Sequence, residues 1–506
     1  LLGGLAPETD GLLPYWLGAW AIQLTTPWAA PELAARIPFV LLVALTLLAT
    51  WYGIYALARS PGAQPVAFAF GGEAQPADYA RAMADGGLLA LLACLGLAQP
   101  THETTSYLVQ LCCTTLVFYG LATGPQSKTL AATALAAGMV GLSGAPTLAL
   151  LYALGAAALY LSDTHAEPSE RRHAVQWSVL ALASALIAAA LTWWLDAWRW
   201  KLAWPQELGK DWLDLARLLV WFAWPAWPLA LWTLWRWRRQ ILHRRPHLHL
   251  PLPLWFVLVT LGCAVGTLPS DRALLLSLPT LAALAAFALP TLRRSMSALI
   301  DWFTLLFFSA SVIAIWVIWV STQTGVPAKP AANVAKLARG FEPQFSAIAF
   351  AVALVATLAW CALVWWRAGR HRSAIWKSLV LPAAGTTLCW LLLTTLWLPM
   401  LDYVRSDVPQ MRTLARLAGQ PTCMHMYGLD RTQMAALQFH GQLRLVPLDD
   451  TPRCDWLVHA PYASSANARK PMPLPDLTGW TLQHRVDRPR ERGDVLELYR
   501  RHVPQD

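Results

Sequence analysis

The chain has 506 residues, of which 56% are apolar and only 13% are charged, and its mean hydropathy is +0.41. Soluble domains carry about 25% charged residues, so this composition excludes an ordinary cytosolic enzyme. The formal net charge is +10, but the basic residues stand in short clusters between apolar runs. Such clusters are typical of cytoplasmic loops in a membrane protein and give no case for a nucleic-acid partner.

The chain opens on an aromatic amphipathic segment, LLGGLAPETDGLLPYWLGAW. This pattern is typical of a helix that lies in the membrane interface rather than one that spans the bilayer. Glu8 and Asp10 precede its aromatic part. They are either solvated carboxylates that cap the helix or members of a functional site. Because the segment has no initiator Met and no basic leader, we expect at least one further helix upstream.

Apolar windows of spanning length follow one another along the chain, and each predicts a transmembrane helix, since about 20 residues cross a bilayer. The predicted spans are residues 33–58, 79–98, 105–123, 127–143, 145–162, 173–194, 215–236, 252–269, 272–291, 299–321, 345–366 and 374–397. The sequence therefore predicts a mainly α, polytopic bundle of about twelve helices. The 29 tryptophans fit many crossings of the interface, where Trp is enriched.

Basic clusters occupy every second loop between these spans. They lie at 236–245, 293–294 and 367–372, and the positive-inside rule places such loops in the cytoplasm. The alternate loops, which include 196–214, 269–272 and 322–345, then face outward together with the C-terminal tail. A site built from these loops works outside the cytoplasm.

The composition becomes polar after Pro399, which predicts a transmembrane domain over 1–398 and a small extracytoplasmic α/β domain over 399–506. The segments CMHMYGLD, LRLVPLDD, CDWLVHA and VLELYRR have the alternation of short strands. Cys423 and Cys454 both fall in this domain. An oxidising compartment permits a disulfide between them, and the sequence leaves open whether one forms.

Few ionisable residues stand beside the spans, and those that do are candidates for function. Asp85 is placed at the head of an apolar helix, before two glycines that permit close approach of a ligand or a backbone. The alternative is an acidic residue in a first turn, which the helix dipole favours. His102 and Glu103 lie between two spans, as an acid/base pair or half a metal site, although a turn with capping residues is the favoured interpretation.

Cations in the outward loops form a further candidate set. They are Lys201, Lys210, Arg272, Lys329, Lys336 and Arg339. Arg offers a bidentate fork and Lys a point charge to a phosphate or pyrophosphate. Taken singly, each is more often a solvated or snorkelling side chain.

Several motifs together resemble the bacterial membrane glycosyltransferases of family 39, which have the GT-C fold and include protein O-mannosyltransferases and the lipid A aminoarabinose transferase. The family's Pro-Pro-Leu-aromatic-Trp motif and its acidic-x-x-x-Arg-Leu-Pro helix start are matched at Leu12, Leu13, Pro14, Tyr15, Trp16, Glu32, Arg36 and Pro38. Asp85 matches a second acidic motif. GLSGAP is similar to Gly-Leu-x-x-Lys-Gly-Pro, and RALLLSLPTLAAL to Arg-Tyr-Leu-Leu-Pro-x-x-Pro.

The resemblance implies transfer of a sugar from a polyprenyl-phosphate donor to a lipid, glycan or protein acceptor at the periplasmic face of the bacterial inner membrane. In such chemistry a carboxylate takes the acceptor proton and cations stabilise the departing lipid phosphate. It implies membrane lipids as partners and leaves a divalent metal ion open. The implied catalytic residues are Asp85, Asp10 and Glu8; the implied substrate-binding residues are Lys210, Arg272, Lys201, Tyr15, Trp16, His102 and Glu103.

Departures from the family pattern keep two other functions open. Asp10 and Ser143 stand where the family has Lys, and the family's principal acidic residue lies upstream of the motif that begins at Leu12. A catalytically inactive relative that acts as a scaffold is therefore one alternative. The other is a transporter or flippase for a lipid-linked solute, which predicts ionisable residues at span centres.

Overall fold

In the computed structural model the described residues are 11–26, 28–64, 75–98, 100–124, 128–162, 168–196, 198, 210–242, 248–266, 270–368, 375–419, 421–448, 454–463, 470–471, 475–488 and 495–502. The chain divides into two compact units. The bundle unit comprises Thr9–Ser311 and Ala356–Trp390. The tail unit includes Val312–Val355 and Leu391–Asp506.

Helices dominate the described part of the chain. The first group is α1 (Leu13–Thr25), α2 (Pro31–Ala34), α3 (Ile37–Ala58), α4 (Pro76–Ala93), α5 (Leu95–Ala98), α6 (Ser106–Thr123), α7 (Lys128–Gly141), α8 (Pro146–Leu161) and α9 (Pro168–Trp194). The second is α10 (Lys210–Phe222), α11 (Ala226–Arg236), α12 (Arg238–Leu242), α13 (Pro251–Gly266), α14 (Ser270–Leu275), α15 (Leu278–Ala286), α16 (Arg294–Thr324), α17 (Ala328–Leu337), α18 (Ala347–Ala368) and α19 (Val380–Leu396). The last is α20 (Leu398–Arg405), α21 (Val408–Leu417) and α22 (Arg431–His440).

All twelve predicted spans coincide with helices. Among the described residues, seven helices are long and apolar enough to cross a membrane, one bent pair passes the same test together, and three shorter apolar helices accompany them. The remaining predicted span falls on α4, whose 18 residues carry Asp78, Arg81 and Asp85. The expected multi-pass helical bundle is confirmed.

Three predicted spans are less regular than expected. The span 215–236 is bent by 93° between α10 and α11, where Pro225 precedes the new helix and removes a backbone donor from any continuous one. The span 79–98 begins earlier, at Pro76, and breaks at Cys94 before α5. The span 272–291 is divided between α14 and α15.

Cations collect at one end of the bundle unit, which we call the cationic end. Hydrogen bonds join the helix ends there: the Trp232 indole donates to Thr291 Oγ1 at 3.0 Å, and His173 Nε2 lies 3.3 Å from the Gly124 carbonyl oxygen. The cations of this end among the described residues include Arg59, Arg81, Arg171, Arg172, Arg236, Arg239, Arg293 and Arg367. The opposite end, which we call the motif end, carries α1, α14 and the 3-10 turns Pro100–His102 and Leu142–Gly144.

Small residues let α6 and α7 pack closely. A Cβ built on Gly120 lies 2.8 Å from the Ala131 carbonyl oxygen, and one built on Gly138 lies 2.7 Å from the Cys113 carbonyl oxygen. Contact between backbones stabilises helix pairs in membranes, where apolar burial between helices contributes little. The two glycines thus fix the spacing of this pair.

The tail unit carries a five-stranded sheet in the order β2-β1-β3-β7-β6. Its strands are β1 (Cys423–Tyr427), β2 (Arg444–Pro447), β3 (Trp456–His459), β6 (Trp480–Asp487) and β7 (Val495–Arg501), and a separate pair joins β4 (Tyr462–Ala463) to β5 (Lys470–Pro471). β1 pairs in parallel with β2 and β3, whereas β7 is antiparallel to β3 and β6. The four predicted strand segments all contain strands, and β4, β5 and β6 are additions.

Two helices and a disulfide complete this small α/β fold. α21 and α22 contribute Leu414 and Leu437 to a core that also holds Met424 and Leu498. Cys423 and Cys454 are bonded, with their Cα atoms 5.6 Å apart. The disulfide that the sequence left open is therefore present, and it ties the start of β1 to the segment before β3.

Substitution of Gly138 by Ala should destabilise the bundle by about 1–3 kcal/mol, because its methyl group meets backbone atoms that cannot move aside. Gly262→Ala in α13 is the matched control, since a Cβ there meets nothing within 4 Å. Thermal unfolding in detergent should show a lower midpoint for Gly138→Ala and an unchanged or higher one for Gly262→Ala. Equal midpoints would contradict the close packing of α6 and α7.

Candidate functional site

Two of the sequence motifs meet at the motif end. Gly11 has a φ of +109°, and a Cβ on it would lie 2.9 Å from the Cα of Gly144. Any larger side chain at Gly11 therefore meets the backbone of the turn Leu142–Gly144. The Thr192 hydroxyl donates to the Ser143 carbonyl oxygen at 2.5 Å and holds the same turn against α9. The segment before Pro14 and the GLSGAP segment thus form one packed structure.

The interfacial helix is present as α1, with Pro14 in its first turn. Tyr15 and Trp16 are 51% and 43% exposed, and the Trp16 ring stacks on Trp20 with centroids 6.2 Å apart. An aromatic face of this kind suits the boundary between headgroups and acyl chains. Both side chains therefore lie on the exposed aromatic face of α1 at the motif end.

Four further candidates, His102, Glu103, Lys210 and Arg272, have their backbone at the motif end. Glu103 is half-buried beside the turn Pro100–His102, Lys210 begins α10, and Arg272 lies in α14. These elements are neighbours, because α14 contacts both α5 and α10. The side chains of His102, Lys210 and Arg272, and all of Glu8, Asp10 and Lys201, lie outside the described residues.

Asp85 lies away from that end. The expectation that it opens a helix is wrong, because α4 begins at Pro76, a residue suited to a first helical turn. At about 1.5 Å per residue, Asp85 lies about 13 Å from the start of α4 and about 12 Å from its end. The structure thus places this carboxylate near the centre of the helix rather than with Tyr15 or Glu103.

An aromatic stripe on α3 faces Asp85. The Trp51 indole N–H donates to Asp85 Oδ1 at 2.8 Å, and the Trp51 ring stacks on Tyr55 with centroids 5.3 Å apart. The Arg59 guanidinium lies 5.7 Å from the centre of the Tyr55 ring. Positions 51, 55 and 59 are spaced by four and therefore share one face of α3. This spacing is visible in the sequence, but it lies outside the family motifs.

An apolar cavity of about 190 Å³ lies in the bundle unit at the bend between α10 and α11. Its lining consists of one leucine, one valine and five aromatic residues: Leu95, Val220, Trp221, Trp224, Phe303, Phe307 and Phe308. The Leu95 N–H donates to the Trp224 carbonyl oxygen at 3.3 Å and fixes α5 beside the bend. Such a cavity accepts a hydrocarbon group and offers nothing to an ion.

The described residues contain no group of three or more His, Cys, Asp or Glu side chains positioned to hold a metal ion. Asp301 is paired with Arg367 at the cationic end. Lys377 lies 5.6 Å from the centre of the Trp366 ring at that end. The described side chains therefore do not fit a metal site.

A second polar cluster lies on the sheet of the tail unit. Glu497 accepts hydrogen bonds from the Tyr499 hydroxyl at 2.8 Å and faces His459 Nδ1 at 3.2 Å, while Arg485 reaches its other oxygen at 3.0 Å. Burial alone raises the pKa of Glu497, but the two hydrogen bonds and the Arg485 charge outweigh burial and lower that pKa below the ordinary 4.5. Burial and Glu497 raise the pKa of Tyr499 to about 12.

Two crystal structures of ArnT from Cupriavidus metallidurans have a fold similar to that of this chain. The structure bound to undecaprenyl phosphate superposes with a TM-score of 0.57 at 17% identity, covering 97% of this chain and 87% of that one. The apo structure superposes with a TM-score of 0.52 at 17% identity, covering 96% of this chain and 86% of that one. No protein-family model and no curated protein matches the sequence. The chain therefore has the GT-C type of fold seen in ArnT, as the resemblance implied.

The tail unit should lose stability as the pH falls below about 4.5. Because folding lowers the pKa of Glu497, its charged form stabilises the fold above its unfolded pKa, and this contribution disappears as the pH falls through the folded pKa. Glu497→Gln should lower the protection of the β7 amides from hydrogen exchange at pH 7, and this protection should then change less as the pH falls. Asp455→Asn, at an exposed position, is the control. An unchanged acid profile in Glu497→Gln would contradict the role of this carboxylate.

Proposed function

We propose that this chain is an integral membrane glycosyltransferase that moves a sugar from a polyprenyl-phosphate donor to a lipid, glycan or protein acceptor. The observation that carries the proposal is the shared fold with ArnT, whose crystal structure contains undecaprenyl phosphate. The matching motifs add to it, since two of them meet at Gly11 and Gly144. Family 39 is the group whose motifs these positions resemble.

The motif end is the proposed reaction end and faces the periplasm. The positive-inside rule assigns the cationic end to the cytoplasm of a bacterial inner membrane. The disulfide between Cys423 and Cys454 supports an extracytoplasmic domain over 399–506, because disulfides persist in oxidising compartments.

The proposed chemistry is a single inverting displacement. An acceptor oxygen attacks the anomeric carbon, the bond from that carbon to the phosphate oxygen breaks, and the acceptor proton passes to a carboxylate. Asp10 and Glu8 are the proposed proton acceptors in this chain, since they precede Gly11, which is packed at the motif end. Lys210 and Arg272 are the proposed cations that stabilise the departing phosphate.

The lipid part of the donor fits the apolar features beside these residues. The cavity at the bend between α10 and α11 is lined by Trp221, Trp224 and Phe307, and α10 begins at Lys210. Val220 in the lining lies about 15 Å along α10 from Lys210, so a polyprenyl chain that runs along α10 from this cavity would bring its phosphate to the cations of α10 and α14. Tyr15 and Trp16 would contact the sugar or the acceptor from the interface.

Asp85 supports a second candidate function. Asp85 is half-buried near the centre of α4 and accepts a hydrogen bond from the Trp51 indole; a carboxylate at such a depth in a bilayer costs free energy and is typical of transport pathways. The sequence alternative of a transporter or flippase for a lipid-linked solute predicted an ionisable residue at such a position. In the glycosyltransferase, Asp85 is a positioning residue that holds α3 against α4 through Trp51.

Arg272→Ala and Lys210→Ala should each reduce turnover by about 100-fold, because each removes a charge that stabilises the leaving phosphate. The assay uses the detergent-purified chain with undecaprenyl-phosphate-linked radiolabelled sugar and measures the undecaprenyl phosphate released. Arg217→Ala is the control on α10, because the Arg217 side chain is 68% exposed and paired with Asp214. Full activity in both Lys210→Ala and Arg272→Ala would contradict the proposed phosphate site.

Asp85→Asn should distinguish the two candidate functions. If the chain is a glycosyltransferase, donor turnover by Asp85→Asn should stay within about tenfold of wild type, because the Asn amide oxygen still accepts the Trp51 hydrogen bond. Neither protein should then move intact donor across a bilayer. A transporter instead moves labelled donor between the leaflets of proteoliposomes without releasing its phosphate, and loses this flux in Asp85→Asn. Asp78→Asn, at an exposed position in the first turn of α4, is the control in both assays.

A further inference from the structure

A short amphipathic helix, α17, lies between two spans of the tail unit. No residue of α17 is buried, although apolar helices flank it on both sides of the sequence. The link 325–327 joins it to the end of α16, and at most about 3.6 Å per residue places its first turn within about 14 Å of Thr324. This end of α17 is therefore held at the level where α16 leaves the bilayer.

A second tether holds the other end of α17. The Tyr403 hydroxyl donates to the Arg339 carbonyl oxygen at 3.0 Å, and the Tyr403 ring lies 5.5 Å from Phe341. Gly340 has a φ of +76°, and a Cβ there would lie 3.2 Å from the Tyr403 hydroxyl. Because Tyr403 lies on α20, which begins two residues after α19 ends, this end is also held beside the end of a span.

The surface of this tethered segment is cationic. Residues 325–346 contain three cations, Lys329, Lys336 and Arg339, and one carboxylate, Glu342, which gives 3 − 1 = +2. All four side chains are exposed. Lys329 and Lys336 are seven residues apart and therefore project from nearly the same side of the helix.

Exposed apolar side chains accompany the cations. Val326 is 69% exposed, Leu337 is 66% exposed and Phe345 is 62% exposed. Water does not stabilise such side chains, whereas the boundary between headgroups and acyl chains does. Cations beside apolar side chains at the end of a span are the pattern of a segment that lies on a membrane surface.

We propose that α17 and residues 338–345 form a binding surface for anionic phospholipid headgroups at the membrane boundary. Lys329, Lys336 and Arg339 bind the lipid phosphates, and the apolar side chains enter the acyl boundary. The occupant is lipid rather than protein because the surface is tethered at both ends to the ends of spans and its charge complements a phosphate. This surface stands independently of the proposed sugar transfer.

The test compares the full chain in nanodiscs of phosphatidylcholine with increasing phosphatidylglycerol. Hydrogen exchange of residues 328–339 should slow as phosphatidylglycerol is added, and 1 M salt should reverse the effect. The variant Lys329→Ala/Lys336→Ala/Arg339→Ala should bind phosphatidylglycerol about 100-fold more weakly at this surface, about fivefold for each cation. Arg412→Ala/Arg416→Ala/Arg444→Ala removes the same charge from exposed positions of the tail unit and should behave as wild type.

Three results would overturn the proposal. The first is exchange of α17 that does not depend on phosphatidylglycerol in wild type. The second is equal loss of exchange protection in the α17 triple variant and in the control triple variant, which would mean that charge in general is responsible. A photocrosslinker at Asn333 that labels a protein in native membranes but no lipid would identify a protein partner and would likewise overturn it.

Discussion

The apolar layer that the helices cross offers no water to a backbone group or a charge, and the rest of the structure depends on that constraint. Helices satisfy their own backbone, and the charges gather at helix ends. Arg59, Arg236 and Arg367 therefore share the cationic end, whereas the motif segments that contain Gly11 and Gly144 meet at the other end. Asp301 at that end is paired with Arg367. The exception is Asp85, which lies near the centre of α4 and accepts a hydrogen bond from the Trp51 indole.

Close contact between backbones stabilises helix pairs in a membrane, where apolar burial contributes less than it does in soluble proteins. Gly120 and Gly138 bring α6 onto α7, and the contact of Gly11 with Gly144 brings the start of the interfacial helix onto the turn between α7 and α8. The second contact connects fold to function, because it joins two motifs that are more than a hundred residues apart. The proposed phosphate site adds α14 to this end of the bundle unit, where α14 contacts α5 and α10.

The positions of the spans were predictable because a run of about 20 apolar residues is typical of a transmembrane helix. The breaks and exact bounds of the helices could not be predicted. The 93° bend at Pro225 and the start of α4 at Pro76 depend on packing as well as on local sequence. The strands of the tail were visible from alternation in four segments, but β6 is exposed along most of its length and carries the weaker pattern WTLQHRVD. The site was only partly predictable. The candidates Tyr15 and Glu103 both lie at the motif end, whereas the position of Asp85 within α4 and its Trp51 partner could be seen only in the fold.

The most direct measurement is photoaffinity labelling of the full chain with a polyprenyl phosphate that carries a photoreactive group next to the phosphate, followed by mass spectrometry of the labelled peptides. The account predicts adducts in α1, α14 or the turn Leu142–Gly144, which undecaprenyl phosphate removes by competition. Competed adducts confined to the cationic end, or to the surroundings of Asp85, would contradict the assignment of the motif end as the reaction end.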